Sequence, residues 1–567
     1  MKKHILTSLL IAGILTLGAC GTETDTTDTS AAPEVTDTQE KDEAPSPAED
    51  FITEPSGDLL KITGYKGQGG RVVIPETIDG KRVSRISANA FSYNNNISSL
   101  YIPDNVTDIE EKAFYLCEAL SSVEAESPEH IGAEAFAGCK NLTTVQLGSG
   151  IRTIGNGAFA NTPWVGNGEF VIAGDVLVKY NGTAAEVTIP DSIRLIGNLA
   201  FSHNDSVTSV SLPESVTDIG YLAFAGCDNL KTVNMTENVK FIGERAFSYC
   251  PAIDSMTIPT DTLHEGTFLG CTSLTSVTLP ENLSSIKDKA FSGCTSLSEI
   301  TLPASVSDIG ADAFSGCSAL KSIAIPDGVT EIKDKAFYDC NALTQVTIPD
   351  SVISIGSYAF YACESLSDIP AASSVQSYGD GAFQNCKGLT SVTTPETVTY
   401  IGKGVFQSCT ELSNITLSSA ITDIRDSAFE KCTSLTEIVI PDGVTSVGNR
   451  AFSACTALET VTMGDNVSFF GIQCFKDCGA LNSIKLSEAM TAVSENMFAG
   501  CKSLTSIVLP DSVEVIEKNG FQKCENLSSI NVPASIKKVA FAAFGKCTSL
   551  PPLTFPEGTD VNDGAFN

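Results

Sequence analysis

Cysteine offers the most chemistry in this chain, and its spacing restricts what that chemistry can be. Seventeen of the 19 cysteines stand three residues after a phenylalanine, from Phe114/Cys117 to Phe544/Cys547. In an exported protein such a column could form disulfides, bind a soft metal or supply a nucleophile. Disulfides are disfavoured by geometry. Equivalent residues on adjacent repeats sit about one strand spacing apart, roughly 4.8 Å. Bridged cysteines bring their Cβ atoms to roughly 3.5–4.5 Å. An odd number of column members also leaves one unpaired, and no Cys-x-x-Cys is present to start a metal site. The column therefore reads as core, each thiol packing as a small hydrophobe. Cys474, where most repeats have Ala before Phe, reads the same way.

The other reactive types do not converge. His130, His203 and His264 fall at different phases of the repeat. No general base is therefore placed against a nucleophile. HExxH, a phosphate-binding glycine loop and a dinucleotide fingerprint are all absent. Acidic residues follow a proline repeatedly, as at Asp104, Asp191, Glu214, Glu281, Asp327, Asp350, Glu396, Asp442, Asp511 and Glu557. One or two carboxylates per repeat suit a solvated turn better than a cation cage. The reading is non-enzymatic, with no cofactor and no metal.

These residues must be positioned by the repeat itself. Phenylalanine recurs every 23 residues from Phe268 to Phe544, and the register extends through Phe91, Phe114, Phe136, Phe159, Phe201, Phe224, Phe247 and Phe566 to give 21 copies. A fixed period of this length means stacked units that bury their apolar faces against one another. In Cys271–Gly293, Leu274, Val277 and Leu279 form a half-buried strand that Pro280 ends. Leu283 and Ile286 start a second apolar segment, and Ala290-Phe291 leads through a short helical turn back to Cys. Ala precedes Phe in 16 of the 21 copies, which suits backbone passing close to the next coil.

The pattern L-x-x-[VI]-x-[LI]-P, then V-x-x-I-G-x-x-A-F-x-x-C, resembles the BspA-type leucine-rich repeat of bacterial and protozoan surface proteins. Leu320-Lys-Ser-Ile-Ala-Ile-Pro326, Val329-Thr-Glu-Ile332 and Val444-Thr-Ser-Val-Gly-Asn-Arg-Ala-Phe452 carry the likeness. It implies an α/β leucine-rich-repeat solenoid with a parallel strand sheet on one face and short strand or helical turns on the other. The segment 51–90 is similar to the family's first hairpin, a cap, with the solenoid spanning 91–567. A 42-residue gap between Phe159 and Phe201 is also family-like. It predicts an inserted hairpin at about 160–185, turning at Ala173-Gly174-Asp175. The family implies adhesion to host or bacterial partners and transfers no universal ligand residue.

Two features suggest where the solenoid works. Lys2 and Lys3 precede an apolar run from Ile5 to Leu17 and then Gly18-Ala19-Cys20, so 1–19 reads as a signal peptide. Leu17–Cys20 resembles a lipobox, with Cys20 as the lipidated first mature residue. Residues 20–50 hold that Cys and then an acidic stretch of low apolar content, expected as a disordered tether. Net charge is −33 overall, which excludes nucleic acid as a partner and leaves the lipid anchor as the membrane contact.

The candidate binding face is the outward side of the strands, carrying Thr257, Thr278, Thr301, Thr347, Thr393, Thr416 and Thr462. Ser276, Ser322, Ser391, Ser483, Ser506 and Ser529 flank them, and Tyr101 is a rare aromatic there. Thr also simply suits an exposed strand. A standard protein interface of about 800 Å² per side would span roughly eight to ten coils. The single Trp164 is a candidate contact in the insertion, with packing as the competing role. The leading expectation is a surface protein binding a host or microbial macromolecule. A structural or self-associating envelope spacer, joined through the C-terminal coil, comes second, and glycan capture third.

Overall fold

The computed structural model describes residues 44–369 and 373–567. Residues 1–43, which hold the expected signal segment, Cys20 and most of the expected tether, lie outside the described residues. The fold begins slightly ahead of residue 51. The Ser46 amide donates to the Val73 carbonyl at 3.0 Å, its hydroxyl accepts from the Val73 amide at 3.0 Å, and Ala48–Asp50 forms a 3-10 turn.

Most coils carry two strand segments because they have two short apolar runs. The longer run pairs in parallel with its neighbour, as Ser255–Thr257 does with Ser276–Thr278. The shorter run is a two-residue strand such as Ser285–Ile286, paired with Thr262–Leu263 before it and Asp308–Ile309 after it. Both ladders are broken into runs rather than forming one sheet. Thr301, for example, lies in a segment without strand pairing.

The expected helical turns are different in kind. Among the described residues there is no α-helix, only 3-10 turns at Ala48–Asp50 and Pro163–Gly166. Around each core Phe, the residues two before and two after adopt left-handed backbone, as at Asp312 (φ 54°) and Gly316 (φ 74°). Alternating the hand of successive residues turns alternate N–H groups to one side. Asp312, Phe314 and Gly316 thus donate to Asp334, Ala336 and Tyr338 of the next coil at 3.0, 2.8 and 2.7 Å. The turn is an intercoil ladder, and its hydrogen bonds offset the strain of left-handed Lys289, Leu222 and Arg245.

The core is a stack of rings. Phe114 and Phe136 lie 5.0 Å apart and 1° from parallel, and Phe360 and Phe383 lie 5.4 Å apart at the same angle. Leu, Val and Ile of the two strands enclose the stack, and most of them are wholly buried. The inserted hairpin forms as expected, from Phe170–Ala173 and Val176–Tyr180, with Gly174 in the turn at φ 58°.

Candidate interaction surface

The cysteine column does more than pack. All 18 described cysteines are free thiols. In every Phe+3 position that holds Cys, the thiol donates to the carbonyl of the Phe one coil earlier, as Cys294 does to Phe268 at 3.2 Å and Cys317 to Phe291 at 3.2 Å. The same Phe carbonyl accepts from its own turn, Cys271 N–H to Phe268 at 3.1 Å. Both lone pairs of a buried carbonyl are thereby used. The sequence pointed to a hydrophobe, and the acceptor was invisible there because it belongs to main chain 26 residues away. Burial pushes the Cys271 thiol up to about 12, so the thiolate needed for reaction is scarce at neutral pH. We expect a thiol reagent to modify few groups in native protein and nearly the whole column after denaturation. Fast, stoichiometric labelling of the native chain would contradict this.

Among the described residues no three His, Cys, Asp or Glu side chains gather into a metal-binding group. Burial lowers the basicity of His264, so its ring is neutral at pH 7, against Phe241 with ring centroids 4.9 Å apart. Asp308 is the most elaborate carboxylate. Burial pushes its carboxyl up, but hydrogen bonds from Lys287, Lys333 and Ser285 outweigh that and hold it at about 2. Both ammonium groups lie close, at 2.8 and 2.7 Å. It is an ion-pair knot across neighbouring coils.

The seven threonines of the strand face are all exposed. Parallel register sets Thr257 beside Thr278 and Thr393 beside Thr416. Thr347 pairs with Ala324 and Thr462 with Val439, so the row is not purely hydroxyl. Val439 is 62% exposed and Val508 73%, isolated apolar points on an otherwise polar face. The flanking Ser276, Ser322, Ser391, Ser483, Ser506 and Ser529 are exposed as well.

Trp164 takes the packing role. It is 8% exposed and packs edge-on against Phe159 at 4.7 Å, closing the first run of stacked rings. Its ring therefore has no free face for a ligand. An aromatic cluster that does reach the surface lies on the turn side and was not singled out from sequence. Tyr338 and Tyr361 stack at 4.6 Å, and Tyr358 meets Tyr361 edge-on at 5.9 Å. The two positions directly after Phe337 and Phe360 are the signal that could have found it, since most coils hold Ser, Ala or Gln there.

Coil geometry, turn ladder and ring stack all repeat with the 23-residue motif, and the sequence profile of the BspA-type leucine-rich-repeat region (six copies) matches residues 73–170, 179–264, 261–389, 353–481 and 469–567. The chain belongs to the BspA-type leucine-rich-repeat family. Among solved structures this BspA-type chain is similar to a leucine-rich repeat protein from Bacteroides ovatus, with 22% identity, 90% of this chain and 98% of that one covered, and a TM-score of 0.30. It is also similar to a leucine rich cell surface protein from Faecalibacterium prausnitzii, with 23% identity, coverage of 90% and 94%, and a TM-score of 0.23. A leucine-rich repeat protein from Eubacterium ventriosum shares 22% identity over 69% of this chain and 87% of its own, with a TM-score of 0.30. No curated protein matches the chain.

Proposed function

We propose that this BspA-type protein is a lipid-anchored bacterial surface protein that holds a protein or another macromolecule on its strand face. The observation that carries the reading is the row of seven exposed threonines from Thr257 to Thr462, interrupted at positions such as Ala324 and Val439, on a buried core. Such a face suits a broad, wet contact spread over many coils. The membership supports the role, since leucine-rich-repeat solenoids typically work by protein interaction and are typically non-catalytic. Cys20 supplies the anchor, and the acidic stretch after it holds the array away from the membrane.

The test is capture by the immobilised mature chain of extracellular-matrix proteins, mucin, polysaccharides and bacterial cells, at low and high salt. Saturable, salt-tolerant capture of one protein class is expected. Changing Thr278, Thr347 and Thr393 together to Lys is expected to weaken that capture at least about ten-fold, as buried rim-to-core charges do at interfaces. Undiminished capture by that variant would remove the strand face from the reading. Selective polysaccharide capture, abolished by Tyr361→Ala, would favour glycan binding at the tyrosine cluster.

A second reading, a self-associating envelope spacer, is favoured by two exposed rings on neighbouring coils. Phe541, on the coil of Phe544, is 52% exposed, and Phe566, on the coil after it, is 46% exposed. Sedimentation velocity decides: a monomer independent of concentration would remove self-association, whereas growth in mass abolished by Phe541→Asp would establish it.

A further inference from the structure

The inserted hairpin repeats the first one in detail. The first pairs Phe51–Ser56 with Leu59–Tyr65, placing Phe51 opposite Tyr65; the second pairs Phe170–Ala173 with Val176–Tyr180, placing Phe170 opposite Tyr180. Each register slips after the second residue, between Ile52 and Thr53 and between Val171 and Ile172. The ring pairs are nearly superposable in geometry, 5.3 Å and 54° for the first, 5.1 Å and 52° for the second. Each tyrosine then starts a phenylalanine stack, Tyr65 on Phe91 at 5.3 Å and Tyr180 on Phe201 at 4.9 Å.

The similarity continues beyond the rings. The Lys66 amide donates to the Asp50 carbonyl at 2.8 Å, and the Asn181 amide donates to the Glu169 carbonyl at 2.8 Å. Two residues after each tyrosine stands a glycine, Gly67 or Gly182, whose Cβ would sit 2.3 Å from the tyrosine hydroxyl. The coil after each hairpin has Asn where later coils have Cys. Asn94 and Asn204 accept from the amides of Asn96 and Ser206, both at 3.1 Å.

Just before the second hairpin, the coil stack is interrupted. One ladder ends at Thr153–Ile154 and the other at Thr144–Leu147; both restart beyond the break. Among the described residues, the amides of Gly157, Phe159 and Asn161 donate to no main-chain carbonyl, whereas Phe136 donates to Ala158 at 2.7 Å and Gly138 to Ala160 at 2.8 Å. The hydrophobic core divides there too. Phe51 to Trp164 close on Val171, Ala173, Val176 and Leu195, while Leu177 and Tyr180 open a second cluster. A cavity of about 240 Å³ remains between them, walled by Phe159, Val165, Val176 and Val178.

Side chains replace the missing ladder. Asn198 donates to the Ile154 carbonyl at 3.2 Å and to Asn156 at 3.0 Å, while its own carbonyl accepts from Tyr221 at 2.8 Å. Arg194, held by Asp175 at 2.9 Å, donates to the Ile151 carbonyl. Asp175 Oδ1 is buried there without a hydrogen bond.

We infer that the second hairpin is a duplicate cap, and that the described chain is two solenoids set end to end, about 46–167 and 168–567, each able to unfold without the other. In a repeat array stability passes through nearest-neighbour contacts, so a seam of side-chain bonds beside an open pocket divides cooperativity. The shorter solenoid is the weaker, and the single Trp164, packed on its last ring Phe159, reports chiefly on it.

The test is denaturant unfolding of the full chain, followed by Trp164 fluorescence and by circular dichroism, which the longer solenoid dominates. Fluorescence is expected to change at lower denaturant than the main dichroism transition. Phe114→Ala is expected to move only the fluorescence midpoint and Phe383→Ala only the dichroism midpoint. Coincident transitions that both move with either substitution would overturn the inference. If a variant does not fold, hydrogen exchange of the unaltered chain decides the matter. The Gly157 and Phe159 amides should exchange faster than those of Phe136 and Gly138 by at least about ten-fold, the equivalent of one lost hydrogen bond. Equal protection across the seam would overturn it.

Discussion

Replacing Phe383 with Ala is expected to destabilise the coils around it by about 3–5 kcal/mol, the cost of deleting a buried aromatic ring and leaving its cavity. Phe383 is 1% exposed, with Phe360 at 5.4 Å on one side, Phe406 at 5.8 Å on the other and Tyr378 edge-on at 5.7 Å. Neither neighbouring ring can close the gap, because each is fixed by its own coil's turn ladder. Phe360 donates to Ala382 at 2.8 Å and Phe406 to Ala428 at 2.9 Å, holding the main chain at one coil spacing. Hydrogen exchange is the informative measurement. Protection should fall in the coils of Phe360, Phe383 and Phe406 and remain unchanged around Phe114. A uniform loss along the whole chain would show that coupling extends far beyond adjacent coils.

The second large effect is expected at Cys317, where three substitutions separate packing from hydrogen bonding. The thiol is wholly buried and donates to the Phe291 carbonyl at 3.2 Å, which also accepts from the Cys294 amide at 3.1 Å. Cys317→Ala removes both the donor and the sulfur volume, at a cost of about 1–3 kcal/mol. Cys317→Val restores apolar volume but not the donor and should recover little. Cys317→Ser keeps a donor and should be the mildest of the three. Chemical denaturation gives the order. If Val matches the native protein while Ser is worst, the thiol acts only as filler and the hydrogen bond contributes nothing measurable.

Much of the fold could be read from residue spacing. The period of Phe114, Phe136 and Phe159 specified a stack, and the Ala beside most of those rings specified close backbone approach. Pro280 and its equivalents marked where the first strand of each coil stops. The Gly174-Asp175 pair located the inserted turn. The helical reading of the Ala-Phe segment was less accurate, and the reason is conformational. Left-handed backbone usually advertises itself through Gly or Asn, yet here Leu222, Arg245 and Lys289 adopt it. They do so because three intercoil hydrogen bonds per turn outweigh the local preference, and no single-coil pattern reveals bonds made to the next coil.

The surface was legible in exposure and less so in continuity. Alternation along Val277-Thr278 and Val392-Thr393 correctly turned each Thr outward. The breaks in the ladder, as at Thr301, depend on small differences in how coils are spaced, which residue type does not encode. Trp164 was ambiguous for a related reason. A lone aromatic in an insertion serves packing or recognition equally well, and only its contact with Phe159 distinguishes them. The tyrosine cluster escaped notice because Tyr358 lies outside the column of Tyr338 and Tyr361, and proximity comes only from the way the turns stack.

The thiol-to-carbonyl bond has a consequence for how this molecule can change over generations. Along most of the array each bond joins residues 26 apart, such as Cys340 to Phe314 and Cys363 to Phe337. Excising one whole period, Cys340 through Ala362 for instance, would bring Cys363 to the place Cys340 had held, facing Phe314. Every ring, ladder and thiol would find an equivalent partner across the cut. Unequal recombination between like segments of the gene can therefore lengthen or shorten the array in whole coils while leaving each junction native. The length of the array is thus a heritable quantity that can vary in steps, independently of the sequence of any one coil.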